Sequence, residues 1–201
     1  QTYAKTGSNE YLADLKLRTQ QIYAVAESMM PRTESWWFYL LGRYLERADN
    51  VSRILDIKYF MILPDRHHVG SALDVIQWGS VLRSCSGFEA FRRTQRGQLK
   101  LENVTNYLIR DSEFPRSILA AVTSAENCLA EICKTKSNPI HQSVARELTI
   151  LREHLASTDV TQVIAQGLHE YLDDIQNRVA IVHRATQEAF INYDPAQATV
   201  V

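Results

Sequence analysis

The sequence predicts an all-α protein, an antiparallel bundle of about seven helices around one long central helix. Three observations carry that prediction. Apolar side chains recur at steps of three and four residues along nearly every segment. No stretch shows the alternation of polar and apolar side chains that a half-buried strand requires. Proline, glycine and capping residues punctuate the chain at helix-length intervals.

Residues 1–8 read as a frayed lead-in. Asn9 is placed to cap a helix to about Met30, with Tyr11, Leu15, Ile22, Val25, Ala26 and Met29 as its core face. Pro31 punctuates it, and a very short turn leads to the central helix, Trp36–Leu63. There Trp37, Leu41, Tyr44, Ala48, Val51, Leu55, Tyr59 and Ile62 fall on one face. Thr33 is placed to cap its start, Glu34 suits the first turn, and Pro64 stops it. Such a helix spans roughly 45 Å at about 1.5 Å per residue. After a polar loop, Ser71 and Asp74 form a capping-box pattern that opens a helix to about Ser86. Gly87 allows a break before FEAFRRTQ, Gly97 sits in a loop, and Leu101–Arg110 reads as a short helix. In DSEFPRSI, Pro115 suits the first turn of a helix running to about Lys134. Pro139 opens another to about Ala156, and Thr158 or Asp159 caps the last, which continues to about Phe190. The tail from 195 to 201 has no periodic signal and reads as disordered.

With 201 residues, one helical domain over 1–201 is expected, large enough for a core without staples. Lys plus Arg is 22 against 23 Asp plus Glu, so the chain lacks the basic excess that holds nucleic acid. No apolar run reaches the ~20 residues of a membrane span. Cys85, Cys128 and Cys133 include no C-x-x-C pair. They read as small buried side chains in a reducing compartment, the cytoplasm, and not as a metal site. The chain opens on Gln1 where a complete one would carry Met, so a preceding portion is expected.

The block GRYLERADNVSR concentrates mixed charge. Arg43, Glu46, Asn50 and Arg53 fall opposite the apolar face. Such a face is either solvated and laced with short-range ion pairs, or covered by neighbouring helices. Covered, it is a buried network or a pocket in which arginines hold an anion. His169 stands one turn before Asp173; the two could bind a metal, for which one such pair is weak evidence, or Asp173 could orient the ring for acid–base work. No E-x-x-H, H-E-x-x-H, Walker or dinucleotide-binding pattern is present, and the residues imply neither metal nor cofactor.

The run LGRYLERADNVSRILDIKY resembles the signature of the bacterial alpha-E family, helical proteins named for a Glu-Arg motif, here Glu46-Arg47. QWGSVLRSCSGFEAFRR, VTNYLIRDSEFPRSI and GLHEYLDDI extend the resemblance over about residues 33–192. The family carries the Glu-Arg block twice, in two related halves. This chain carries it once, in text similar to the second half, so the resemblance implies a missing N-terminal half as partner. It also implies an ATP-grasp ligase and a transglutaminase-like peptidase as partners, and so a role in making or modifying a peptide or amide. The site residues it implies are Arg43, Glu46, Arg47, Asp49 and Arg53, then Arg83, Glu89, Asp111, Arg116 and His169. Three readings follow: a helical partner of the ligase, an enzyme with Glu46 as acid or base and arginines as anion clamp, or a scaffold.

Overall fold

The computed structural model describes residues 7–62, 71–95, 97–134 and 139–191. Among these residues the chain is all-helical, in order α1 (Ser8–Met29), α2 (Glu34–Ile62), α3 (Ala72–Ser84), α4 (Phe88–Thr94), α5 (Leu101–Arg110), α6 (Ile118–Cys133), α7 (Pro139–Ser157), α8 (Val160–Gln166) and α9 (Leu168–Phe190). No described helix is long and apolar enough to cross a membrane. Packing divides the chain into two compact units, residues 1–36 and 37–201.

The first unit is α1 and the turn after it. Arg32 stacks its guanidinium 3.8 Å above the Trp36 ring and donates to the Glu27 carbonyl at 2.7 Å, which folds the turn back on the helix end. The sequence places Leu15, Ile22, Val25 and Met29 in a core, but all four are exposed, and Tyr11 and Ala26 are half-buried. Periodicity shows that one face of a helix is apolar; it does not supply the surface that covers it.

The second unit is a helical bundle. Leu41, Leu45, Ala48, Val51 and Leu55 of α2 are buried, so the inward stripe includes Leu45 as well as positions the spacing indicates. The side chains of Tyr59 and Ile62, also expected there, lie outside the described residues. α7 packs against both α6 and α9, burying Val144, Leu148, Leu151 and Leu155. Glu126 of α6 accepts from Thr149 at 2.6 Å and Arg152 at 2.7 Å, both on α7, which fixes the register of that pair. α5, polar on one side, sets Val104, Tyr107, Leu108 and Ile109 fully inside.

Asn9 does not cap α1, whose N-cap is Gly7 with no side-chain cap bond, but several other helix ends follow local chemistry. The Ser71 hydroxyl accepts from the Asp74 amide at 3.2 Å, as the capping pattern requires. α3 closes with paired bonds from the Ser86 amide to the Arg83 carbonyl and from the Gly87 amide to the Leu82 carbonyl. Ser86 sits at φ 55°, a left-handed position that glycine occupies at less cost. Asp159 caps α8 with 2.9 and 3.3 Å bonds to the Thr161 and Gln162 amides. Gly167, at φ 137°, then breaks what the periodicity presents as one continuous helix into α8 and α9. Pro115 does not open α6. It lies in the turn before it, and Ser117 is the cap, accepting from the Ala120 amide at 3.0 Å.

Candidate functional site

The turn between α5 and α6, residues 111–117, joins three of the stretches that stand out in the sequence. Asp111 builds it. One carboxylate oxygen accepts from the Glu113 and Phe114 amides at 3.0 and 2.7 Å, an Asx turn. The other accepts from Gln95 Nε2 at 3.2 Å, which ties in the end of α4. The Ser117 hydroxyl donates to the Asp111 carbonyl and closes the loop.

Phe114 projects from this turn into the core and stacks on Tyr107, centroids 4.7 Å apart. Phe91 of α4 meets the same Tyr107 edge-on at 5.1 Å. A Cβ at Gly87 would lie 2.8 Å from the Phe114 ring, so the α3–α4 joint requires glycine for close approach. Burial, then the Asp111 charge, pushes the Tyr107 phenol up to about 12.

Arg47 of the Glu-Arg pair belongs to this assembly. Its Nη1 donates to the Pro115 carbonyl at 3.0 Å, and its guanidinium lies 5.4 Å from the Tyr44 ring centroid. Glu46, its neighbour, is exposed. Arg43 is half-buried. Asp49 and Arg53 form a two-bond ion pair on the surface of α2, at 2.7 and 3.0 Å. Arg83 is exposed with its guanidinium 4.2 Å from the Phe88 ring; Glu89 and Arg116 are exposed. The structure thus gathers Arg47 and Asp111 at one turn and leaves Glu46, Asp49 and Arg53 on the face of α2.

His169 is oriented by a different carboxylate from the one its spacing suggests. Its Nδ1 lies 2.8 Å from Asp56 Oδ1 on α2, while Asp173 accepts from Asn177 at 3.1 Å. The Asp56 bond is the largest reason that the His169 pKa stands above its ordinary 6.5. Nothing in the local spacing signals a partner 113 residues away. His154, stacked on Tyr171, goes the other way: burial first, then the Arg178 charge, lowers its pKa despite Asp174 nearby. An unfolded histidine titrates near 6.5. The His169 bridge therefore stabilises fully below about 6.5 and is lost as pH rises through the folded value. The neutral His154 acts oppositely, and its contribution is lost as pH falls from about 6.5 through its folded value. NMR titration is expected to put the His169 midpoint above that of free histidine and the His154 midpoint below it. A His169 midpoint at or below 6.5 would remove the Asp56 bridge.

Cys85 and Cys128 are buried and free, their thiols pushed by burial up to about 12 and about 11; burial also raises Cys133. None is a thiolate at neutral pH. Among the described residues no group of three or more His, Cys, Asp or Glu side chains is placed to hold a metal.

Comparison with curated proteins and with solved structures finds no match. The family model of Alpha-E, a predicted alpha-helical domain with a conserved ER motif, matches residues 1–191, and the chain belongs to that family.

Proposed function

We propose that the protein is a helical partner module of a peptide- or amide-bond-forming system that works with an ATP-grasp ligase. The observation that supports this most is the apolar stripe of α1. Leu12, Leu15, Ile22, Val25 and Met29 are between 48% and 75% exposed, beside a groove of about 690 Å³. Contiguous exposed apolar surface on one helix is characteristic of an interface. The spacing 15, 22, 25 and 29 follows the heptad seam that another helix fills. The ligase, a transglutaminase-like peptidase and an N-terminal half are the partners that the family resemblance suggests.

The Glu-Arg pair gives little support to a catalytic role. A carboxylate acting as general acid near neutral pH needs a low-dielectric setting, and Glu46 is exposed. Arg47, offered by the sequence as an anion clamp, spends a guanidinium N–H on a backbone carbonyl. This favours the scaffold reading for the pair itself.

The test is association of the chain with the ATP-grasp ligase, measured by biolayer interferometry. Binding at micromolar concentration is expected. The double variant Ile22→Glu, Val25→Glu should weaken it by about a hundredfold, since both side chains would bury against the partner. Circular dichroism should be unchanged, because both positions are exposed. No binding at micromolar concentration, or binding indifferent to the double variant, would sink the reading.

A further inference from the structure

Between α4 and the turn at 97–99 lies a groove of about 540 Å³, lined by Phe88, Phe91, Arg92, Gln95, Gly97 and Leu99. Its walls are held from behind. Gln95 is anchored through Nε2 to Asp111. Asn103 donates from Nδ2 to the Gln98 carbonyl at 2.9 Å, which pins the turn to α5. A Cβ at Gly97 would come within 2.8 Å of that same amide, so a side chain there would have to shift Asn103. The floor is Phe91, buried against Tyr107. The lining is mixed, with three apolar side chains beside Arg92, Gln95 and Gly97, and the volume falls within the roughly 300–1,000 Å³ usual for a small-ligand site.

Charge selects the ligand. Among the described lining residues Arg92 is the charged one. Its guanidinium carbon lies 5.8 Å from the Phe88 centroid, and that of Arg83 lies 4.2 Å from the same ring. Neither arginine is ion-paired among the described residues, and Glu89, one turn before Arg92, makes no bond to it. Two guanidinium groups thus lie at one aromatic ring, and among the described residues no carboxylate forms an ion pair with either. The planar fork of arginine matches a carboxylate in two parallel bonds. Phe88, Phe91 and Leu99 offer an apolar enclosure, and Gln95, with its amide nitrogen engaged, keeps Oε1 as an acceptor.

We propose that this groove binds the C-terminal carboxylate and last apolar side chain of a short peptide. Arg92 pairs with the carboxylate, Gln95 Oε1 accepts from the terminal amide N–H, and Phe88, Phe91 and Leu99 enclose the side chain. The site lies on α4 and the turn at 97–99 and does not depend on the partner reading of α1.

N-acetyl-phenylalanine is the probe, titrated into the whole chain and followed by NMR and calorimetry. Saturable shifts at Gln95, Gly97 and Leu99 are expected. The uncharged amide of the same compound should bind at least about tenfold more weakly. Arg92→Gln removes the charge from an exposed position and should bring acid and amide to equal affinity without moving the melting curve. Leu99→Glu should weaken both. Equal affinity of wild type for acid and amide, or an Arg92→Gln variant that still prefers the acid, would overturn the carboxylate assignment. No saturable shift at millimolar probe would overturn the site.

Discussion

Replacing Tyr107 by alanine should destabilise the protein by about 3–5 kcal/mol, the cost of deleting a packed aromatic side chain. Tyr107 is 2% exposed and takes Phe114 on its face and Phe91 against its edge. Its removal leaves a void at the junction of α4, α5 and the 111–117 turn, and those three elements cannot close on it together. Tyr107→Phe keeps the ring and loses only the hydroxyl, for about 0.5–1.5 kcal/mol. Urea denaturation of the two variants separates the ring from the hydroxyl. A loss below about 1 kcal/mol for Tyr107→Ala would show that the site collapses freely and that the aromatic trio is not a keystone.

The second large effect divides the Glu-Arg pair. Arg47→Met should cost about 1.5–2 kcal/mol, the lower part of the range for a hydrogen bond from a charged donor, because Arg47 is half-buried. It removes the bond to the Pro115 carbonyl that ties α2 to the turn 68 residues further on. Glu46→Gln, one residue away, should stay within about 0.5 kcal/mol of wild type, as surface substitutions do. Equal losses would mean that the two side chains act as one buried unit. A loss confined to Glu46→Gln would overturn the clamp.

Much of the helical framework can be read from local chemistry. A cap and its amide are three residues apart, so Ser71, and Asp159 of the two caps offered for the last segment, are legible from neighbours alone. The DSEFPRSI segment shows where locality misleads. Pro115 suits a first helical turn by its own geometry, yet the Asp111 carboxylate holds the amides of residues 113 and 114 in a turn, and Ser117 takes over the cap. Gly167 is similar: periodicity continues through it, and only its left-handed backbone shows the break.

The site was less legible because it depends on what lies across from each helix. A helical wheel puts Glu46 opposite the apolar face but cannot say whether another helix covers that side. Arg47 meets a backbone carbonyl, which leaves no trace in residue type. Asp56 is a missed residue with a signal: a carboxylate next to Leu55 on the buried stripe of α2 needs a partner, and His169 supplies it. The arginine-flanked groove at Phe88 had a weaker signal, a basic stretch interleaved with aromatics.

The burial of the thiols has a consequence for how this molecule ages. Peroxide attacks the ionised form of sulfur, and Cys85 and Cys128 hold their protons to about 12 and about 11. Burial and a low thiolate fraction together slow sulfenylation, glutathione capping and cross-linking through these two sulfurs while the fold persists, so their oxidation is expected to accelerate on unfolding.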